Sequence, residues 1–162
     1  MARIYISLGS NIEREQHIRA ALTALRVQFS NVICSSVYES EPVGFQGDNF
    51  FNAVVACDTD KSVHDVARCL ATIEAQHGRV RVSTRFAART LDLDLLLYDA
   101  LVVQEHDIKL PRAEILVNAF VLRPLAEIAP DARHPVVGKT YAELWRDFPC
   151  TEQRLWPVAF TQ

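Results

Sequence analysis

The ten residues RTLDLDLLLY, 89–98, constrain the fold more than any other stretch of the chain. Leu91, Leu93, Leu95 and Leu97 recur at every second position, the period of a strand that buries one face. The other face carries Asp92 and Asp94 side by side. Carboxylates at i and i+2 of a strand stand roughly 6.8 Å apart, and two like charges at that distance repel. A divalent cation removes the conflict, either one ion between the carboxylates or two ions about 3.5–4 Å apart, each ligated from its own side. The plainer alternative is a solvated face, or a sheet edge guarded by charge. Calcium is the weaker metal choice, because no DxDxDG loop is present.

The surrounding pattern supplies the rest of a sheet. ARIYISLG alternates Ile4, Ile6 and Leu8 against Tyr5 and Ser7 as a first strand, and SNIE offers Ser10 and Glu13 as a capping box for a helix. Ile18, Ala21, Leu22 and Leu25 form that helix's buried stripe. NVICSSVY, 31–38, and FFNAVVAC, 50–57, read as the second and third strands. Ser62 caps a second helix with Asp65 in its first turn, the stripe Val63, Val66, Leu70 and Ile73, and Gly78 as its stop. With 89–98 as the fourth strand the order is βαββαβ, an α+β, ferredoxin-like antiparallel sheet with helices on one face. Further on, 113–128 reads as a helix interrupted by Pro124, and Thr140 opens a short helix through Trp145. The whole of 1–162 reads as a single domain with its core at about 3–130, and 131–162 as a C-terminal extension carrying helical additions.

Bulk properties exclude several classes of function. The net charge of −3 argues against general nucleic-acid binding. No run approaches the roughly 18 apolar residues of a membrane helix, and the N-terminus has no signal-peptide pattern. The four cysteines, Cys34, Cys57, Cys69 and Cys150, form no CxxC pair and read as reduced thiols of a cytoplasmic protein.

Two connections are long for so small a unit, 39–49 and 78–90. The second holds Arg79, Arg81, Arg85 and Arg89 and leads straight into the aspartates. Arginines that take phosphate oxygens beside carboxylates that take a metal meet the needs of a Mg-polyphosphate. A solvated, ion-paired loop is the alternative. Neither a GxxxxGK[ST] nor a GxGxxG loop is present. Asn52 stands mid-strand on the face of Phe50 and Val54, where an amide needs hydrogen-bond partners from the protein or from the edge of a flat heterocycle.

FAARTLDLDLLL resembles the signature of the 6-hydroxymethyl-7,8-dihydropterin pyrophosphokinase family. The resemblance extends from about Ile4 to Pro130 through IxLGSN, the EPVG loop, FxNAVV, IEAQHGRVR and AFVLRPLAEIAP. It implies a ferredoxin-like enzyme that transfers pyrophosphate from MgATP to the hydroxymethyl group of the dihydropterin in folate biosynthesis, releasing AMP. It further implies that Asp92 and Asp94 ligate two Mg²⁺ ions, and that Arg79, Arg81 and Arg89 meet the phosphates. Glu74 would lie near the nucleotide and Leu95 would offer backbone contacts to adenine. Asn52 would bond the pterin edge, the ring would stack between Phe50 and Phe120, and backbone groups around Ser40 and Val43 would complete the pocket. Arg79, Arg89 and Asp94 would act in catalysis, with proton removal falling to metal coordination or to Asp94. The family resemblance also implies a monomer that binds ATP first.

The chain departs from the family pattern at four named positions, and the tail from Arg133, ending RLWPVAF, matches it less well. Arg112 follows Pro111 where a His is common, and reaches phosphate as a fixed cation; Asn118 replaces a common Arg; Phe86 and Phe50 replace Trp and Tyr. They motivate an alternative, a divergent paralogue that binds pterin and nucleotide with weak activity or acts on a modified pterin. A reading from another class is an RNA-binding sheet presenting Phe50 and Phe51, against which the acidic balance and the Asp pair both count.

Overall fold

Strict alternation in the first strand, β1 (Ala2–Ser10), sends Ile4, Ile6 and Leu8 to one face and Tyr5, Ser7 and Gly9 to the other. The structure, a computed structural model, describes residues 1–42, 47–77, 91–149 and 153–161. After β1 come α1 (Arg14–Gln28), β2 (Ser30–Cys34), β3 (Val37–Ser40), β4 (Phe50–Thr59) and α2 (Val63–Gln76). They are followed by β5 (Asp92–Tyr98), β6 (Val103–Gln104), β7 (Lys109–Leu110), α3 (Glu114–Val117), α4 (Ala119–Ile128), α5 (Tyr141–Arg146) and β8 (Leu155–Val158). The main sheet is antiparallel in the order β5-β1-β4-β3-β8, with β2 also pairing β4, and β6 and β7 form a separate hairpin. With β2 and β3 taken together, the chain order from β1 to β5 with α1 and α2 is the expected ferredoxin-like βαββαβ.

One core lies between the sheet and α1 and α2. Ile4, Ile6, Leu8, Val55, Leu93 and Leu95 pack there against Ile18, Leu22 and Leu25 of α1 and Val66, Leu70 and Ile73 of α2. A second core covers part of the opposite face, where Val54, Leu96 and Leu97 meet Ile115, Val121, Leu122, Leu125 and Tyr141. Helices therefore cover both faces and not one, since α3, α4 and α5 return over the sheet. The caps at Ser62 and Thr140 form as read: Ser62 Oγ accepts from Asp65 N at 3.2 Å, and Thr140 with Glu143 closes a capping box.

Four local readings are corrected. Ser10 does not cap α1; it pairs with Phe51 as the last residue of β1, its hydroxyl donates to Ile12 O, and α1 begins after Glu13 in the left-handed region at φ 43°. The sheet holds Ser10 extended, so the helix starts later. The run 31–38 is two strands, parted where Ser35 Oγ accepts from Val54 N at 2.9 Å. Leu97 does not continue the leucine face: the register moves from Ile6↔Leu95 to Tyr5↔Leu97, so Leu96 is an extra residue and Leu97 turns into the second core. The interruption in 113–128 falls at Asn118, extended at φ −114° and ψ 116°, while Pro124 is accommodated and buried within α4. Gly78, read as the stop of α2, lies outside the described residues; the described helix ends at Gln76 with His77 as C-cap.

The tail supplies β8, which pairs Ser40↔Leu155 and Val37↔Val158 along β3. Pro157 sits in it without cost to the ladder, because β8 is the outermost strand. Among the described residues, the Tyr141 hydroxyl is the buried side-chain polar group without a hydrogen-bond partner, and burial pushes its pKa well above the usual phenol value. Replacing Tyr141 by Phe removes an unsatisfied group and keeps the ring. The expected result in urea denaturation is stability unchanged or raised by about 1 kcal/mol; a loss of that size would contradict the assignment.

Candidate active site

Pairing register brings the polar residues of four strands onto one face. Ser40 of β3 lies opposite Phe50 of β4, Asn52 of β4 opposite Gly9 of β1, Gly9 opposite Asp92 of β5, and Ser7 opposite Asp94. Asn52, Gly9 and Asp92 thus form a row across β4, β1 and β5, about 10 Å long at normal strand spacing. Ser40 lies two residues off that row, diagonal to Asn52 on the same face. Gly9 is the middle of the row. A side chain there would begin 3.5 Å from Asn52 Oδ1, 3.9 Å from Asp92 Cβ and 4.0 Å from Phe50 Cδ1, which are ordinary contact distances.

At one end of the row, Asn52 is buried and its Nδ2 donates to Ser40 Oγ at 2.7 Å. That bond fixes the amide's rotation. Ser40 also opens onto a cavity of about 320 Å³ lined by Pro42, Asn118, Phe120, Gln153 and Leu155. Phe120, in the first turn of α4, is half-buried against the second core. Phe50 borders Gly9 at the other side of Asn52.

At the other end, Asp92 and Asp94 are partly exposed on β5. The residue between them is held from outside the sheet: Glu74, buried in the last turn of α2, accepts from Leu93 N at 2.9 Å. Farther along, Arg112 N donates to Leu96 O at 3.0 Å. The Arg112 guanidinium lies 3.4 Å from Asp94 Oδ1 and also bonds Glu114. Burial opposes its charge, but the Asp94 and Glu114 carboxylates, with Glu74 adding, hold its pKa above the ordinary value. Among the described residues no group of three His, Cys, Asp or Glu side chains is poised for a metal. Two carboxylates fit Mg²⁺, which keeps waters and takes one or two protein carboxylates together with substrate phosphates.

Leu95 turns its side chain into the first core and pairs with Ile6 through its backbone. Arg79, Arg81, Arg85, Phe86, Arg89 and Val43 lie outside the described residues. Cys34, Cys57 and Cys69 are free thiols, and burial pushes Cys34 up to about 11 and Cys57 up to about 12, so neither is a reactive nucleophile. No helix among the described residues is long and apolar enough to cross a membrane.

A family model described as 7,8-dihydro-6-hydroxymethylpterin-pyrophosphokinase matches residues 5–130. The chain is 40% identical over 137 residues to a 2-amino-4-hydroxy-6-hydroxymethyldihydropteridine pyrophosphokinase of Pseudomonas aeruginosa, covering 82% of this chain and 84% of that one. It is 40% identical over 136 residues to the protein of the same name from Haemophilus influenzae, covering 81% and 84%. Among solved structures, a Plasmodium falciparum HPPK-DHPS triple mutant with pteroate superposes with a TM-score of 0.74 at 12% identity, covering 91% of this chain. This chain spans 43% of that longer one, and the likeness there concerns the fold.

Gly9, between Asn52 and Asp92 in the row, is a position that the sequence reading did not assign to the site. Glu74 carries a second duty that spacing does not reveal, holding the carboxylate-bearing strand by a backbone bond. Glu74→Ala leaves the Leu93 N–H without that acceptor, and a loss of about 1–3 kcal/mol in denaturant-measured stability is expected. Glu74→Gln retains a carbonyl acceptor and should recover most of it; equal losses in both variants would mean the bond is not what matters.

Proposed function

The chain belongs to the 7,8-dihydro-6-hydroxymethylpterin-pyrophosphokinase family, and from that premise we propose how its residues carry the family's reaction. It is a pyrophosphokinase of folate biosynthesis, with ATP as co-substrate and 6-hydroxymethyl-7,8-dihydropterin as acceptor. The hydroxymethyl oxygen forms a bond to the β-phosphorus of ATP, the bond from that phosphorus to the α,β-bridging oxygen breaks, and AMP leaves. The hydroxyl proton is released. No covalent enzyme intermediate is needed; placing the two substrates in line and neutralising charge are sufficient.

The observation that carries the assignment is the row from Asn52 through Gly9 to Asp92, with Ser40 bonded to Asn52 beside it. Asn52, its rotamer held by Ser40, reads the pterin edge, and Phe50 and Phe120 provide the stacking faces. Asp92 and Asp94, one strand beyond Gly9, would hold Mg²⁺, two ions in our reading. When bound, the metal would neutralise phosphate charge. Glu74 keeps β5 in place, and Leu95 is assigned backbone contacts to adenine. Arg112, whose guanidinium lies 3.4 Å from Asp94 Oδ1, is assigned to phosphate as a fixed cation. Arg79, Arg81 and Arg89 are assigned to the phosphates on the sequence resemblance, as Val43 is to the pterin pocket. A monomer that binds ATP first is assigned on the sequence resemblance. Free thiols support a cytoplasmic setting.

Incubation with MgATP and hydroxymethyldihydropterin should yield one AMP for each pyrophosphorylated pterin. ADP as the nucleotide product would overturn the reaction. Asp94→Ala should lower kcat on the order of 10²–10³-fold with far-UV circular dichroism unchanged; wild-type turnover in this variant would remove Asp94 from the metal site.

A further inference from the structure

The tail lies beyond the family match at residue 130, yet Gln153 within it bonds two backbone groups beside the pterin cavity. Its Oε1 accepts from Ala119 N at 2.7 Å and its Nε2 donates to Val117 O at 2.8 Å. These groups flank Asn118, the extended residue that separates α3 from α4. One is an N–H at the start of α4, the other a C=O at the end of α3, and helix ends leave such groups without intrahelical partners. A single side-chain amide satisfies both and so pins the turn. Phe120 is the next residue but one after Asn118 and lines the cavity of about 320 Å³ together with Gln153 and Ser40.

We propose that Gln153 is a positioning residue for the pterin: by fixing the turn at Asn118, it sets the direction from which Phe120 presents its ring. The proposal rests on the reading above in which Phe120 stacks on the pterin. A purely structural role for Gln153, that of seating the tail, is already filled by other contacts. β8 is laddered to β3 from Val37 to Ser40, and Arg123 Nη1 donates to Leu155 O at 3.3 Å. Arg19 donates to Thr161 O at 3.0 and 2.7 Å, and its guanidinium lies over the Phe160 ring at 4.9 Å. Breaking the Gln153 bonds therefore leaves the tail in place and loosens the turn.

Gln153→Met keeps the length of the side chain and removes both hydrogen bonds. The expected result is a KM for hydroxymethyldihydropterin raised about tenfold, the size of one to two net hydrogen bonds. KM for ATP should stay at its wild-type value, and the thermal midpoint should fall only by the few degrees that one to two net hydrogen bonds are worth. Gln153→Glu, which still accepts from Ala119 N–H, should fall between the two. In a Phe120→Ala background, Gln153→Met should add nothing further to the pterin KM, because both act through one ring. If Phe120→Ala alone leaves the pterin KM unchanged, the stacking assignment fails and the proposal falls with it. If Phe120→Ala raises it and Gln153→Met does not, or Gln153→Met raises both KM values alike, only the positioning role is overturned.

Discussion

Repulsion between Asp92 and Asp94 is the conflict that the rest of the structure accommodates. At roughly 6.8 Å, two unit charges repel by about 0.6 kcal/mol in water and about 2.4 kcal/mol at an effective dielectric of 20. Burial of a single leucine side chain contributes about 1.5–3 kcal/mol, and Leu91, Leu93 and Leu95 are all buried beneath the pair. The strand can therefore hold its carboxylates together without a metal and keep them ready for one. Arg112 reduces the conflict at Asp94, but the pair is two-fifths exposed, and such ion pairs are worth about 0–1 kcal/mol. A counter-ion that weak gives way to a divalent cation.

Both lateral edges of the sheet are closed by groups that also serve the site. β5 ends the sheet, and its outer edge is taken up by the Glu74 carboxylate on Leu93 N and by Arg112 N on Leu96 O. Without them the strand bearing the aspartates would present free ladder groups to another chain. At the far side, β8 covers β3 and carries Pro157, which cannot extend the ladder. The Asn52 end of the row leans on β3 through Ser40, and the Asp92 end lies on β5.

What was legible in the sequence followed from local periodicity and local chemistry. The stripes of α1 and α2, the alternation of β1, and the caps at Ser62 and Thr140 each depend on residues within one or two turns of each other. Asn52 stood out because an amide inside an apolar strand needs partners, and the structure supplies Ser40. The readings that failed depend on a distant partner. Whether Ser10 caps a helix or ends a strand is decided by Phe51, and which face Leu97 takes is decided by a register shift opposite Tyr5 and Ile6. Gln153 reaches the backbone of Val117 and Ala119 across the fold, and Arg112 meets Asp94 where its backbone docks on β5.

Arg112 and Asn118 change the two ends of the site in different ways. Arginine does not titrate in the physiological range, so the contact to Asp94 persists wherever the carboxylate is ionised. An imidazole would release Asp94 as pH rose; Arg112 releases it only to a stronger cation. Asn118 brings no charge to the cavity beside Ser40, and the backbone on either side of it is taken by a neutral amide from the tail. The cavity wall near Phe120 therefore relies on hydrogen-bonded geometry, and residues past the family match become part of how the ring is held.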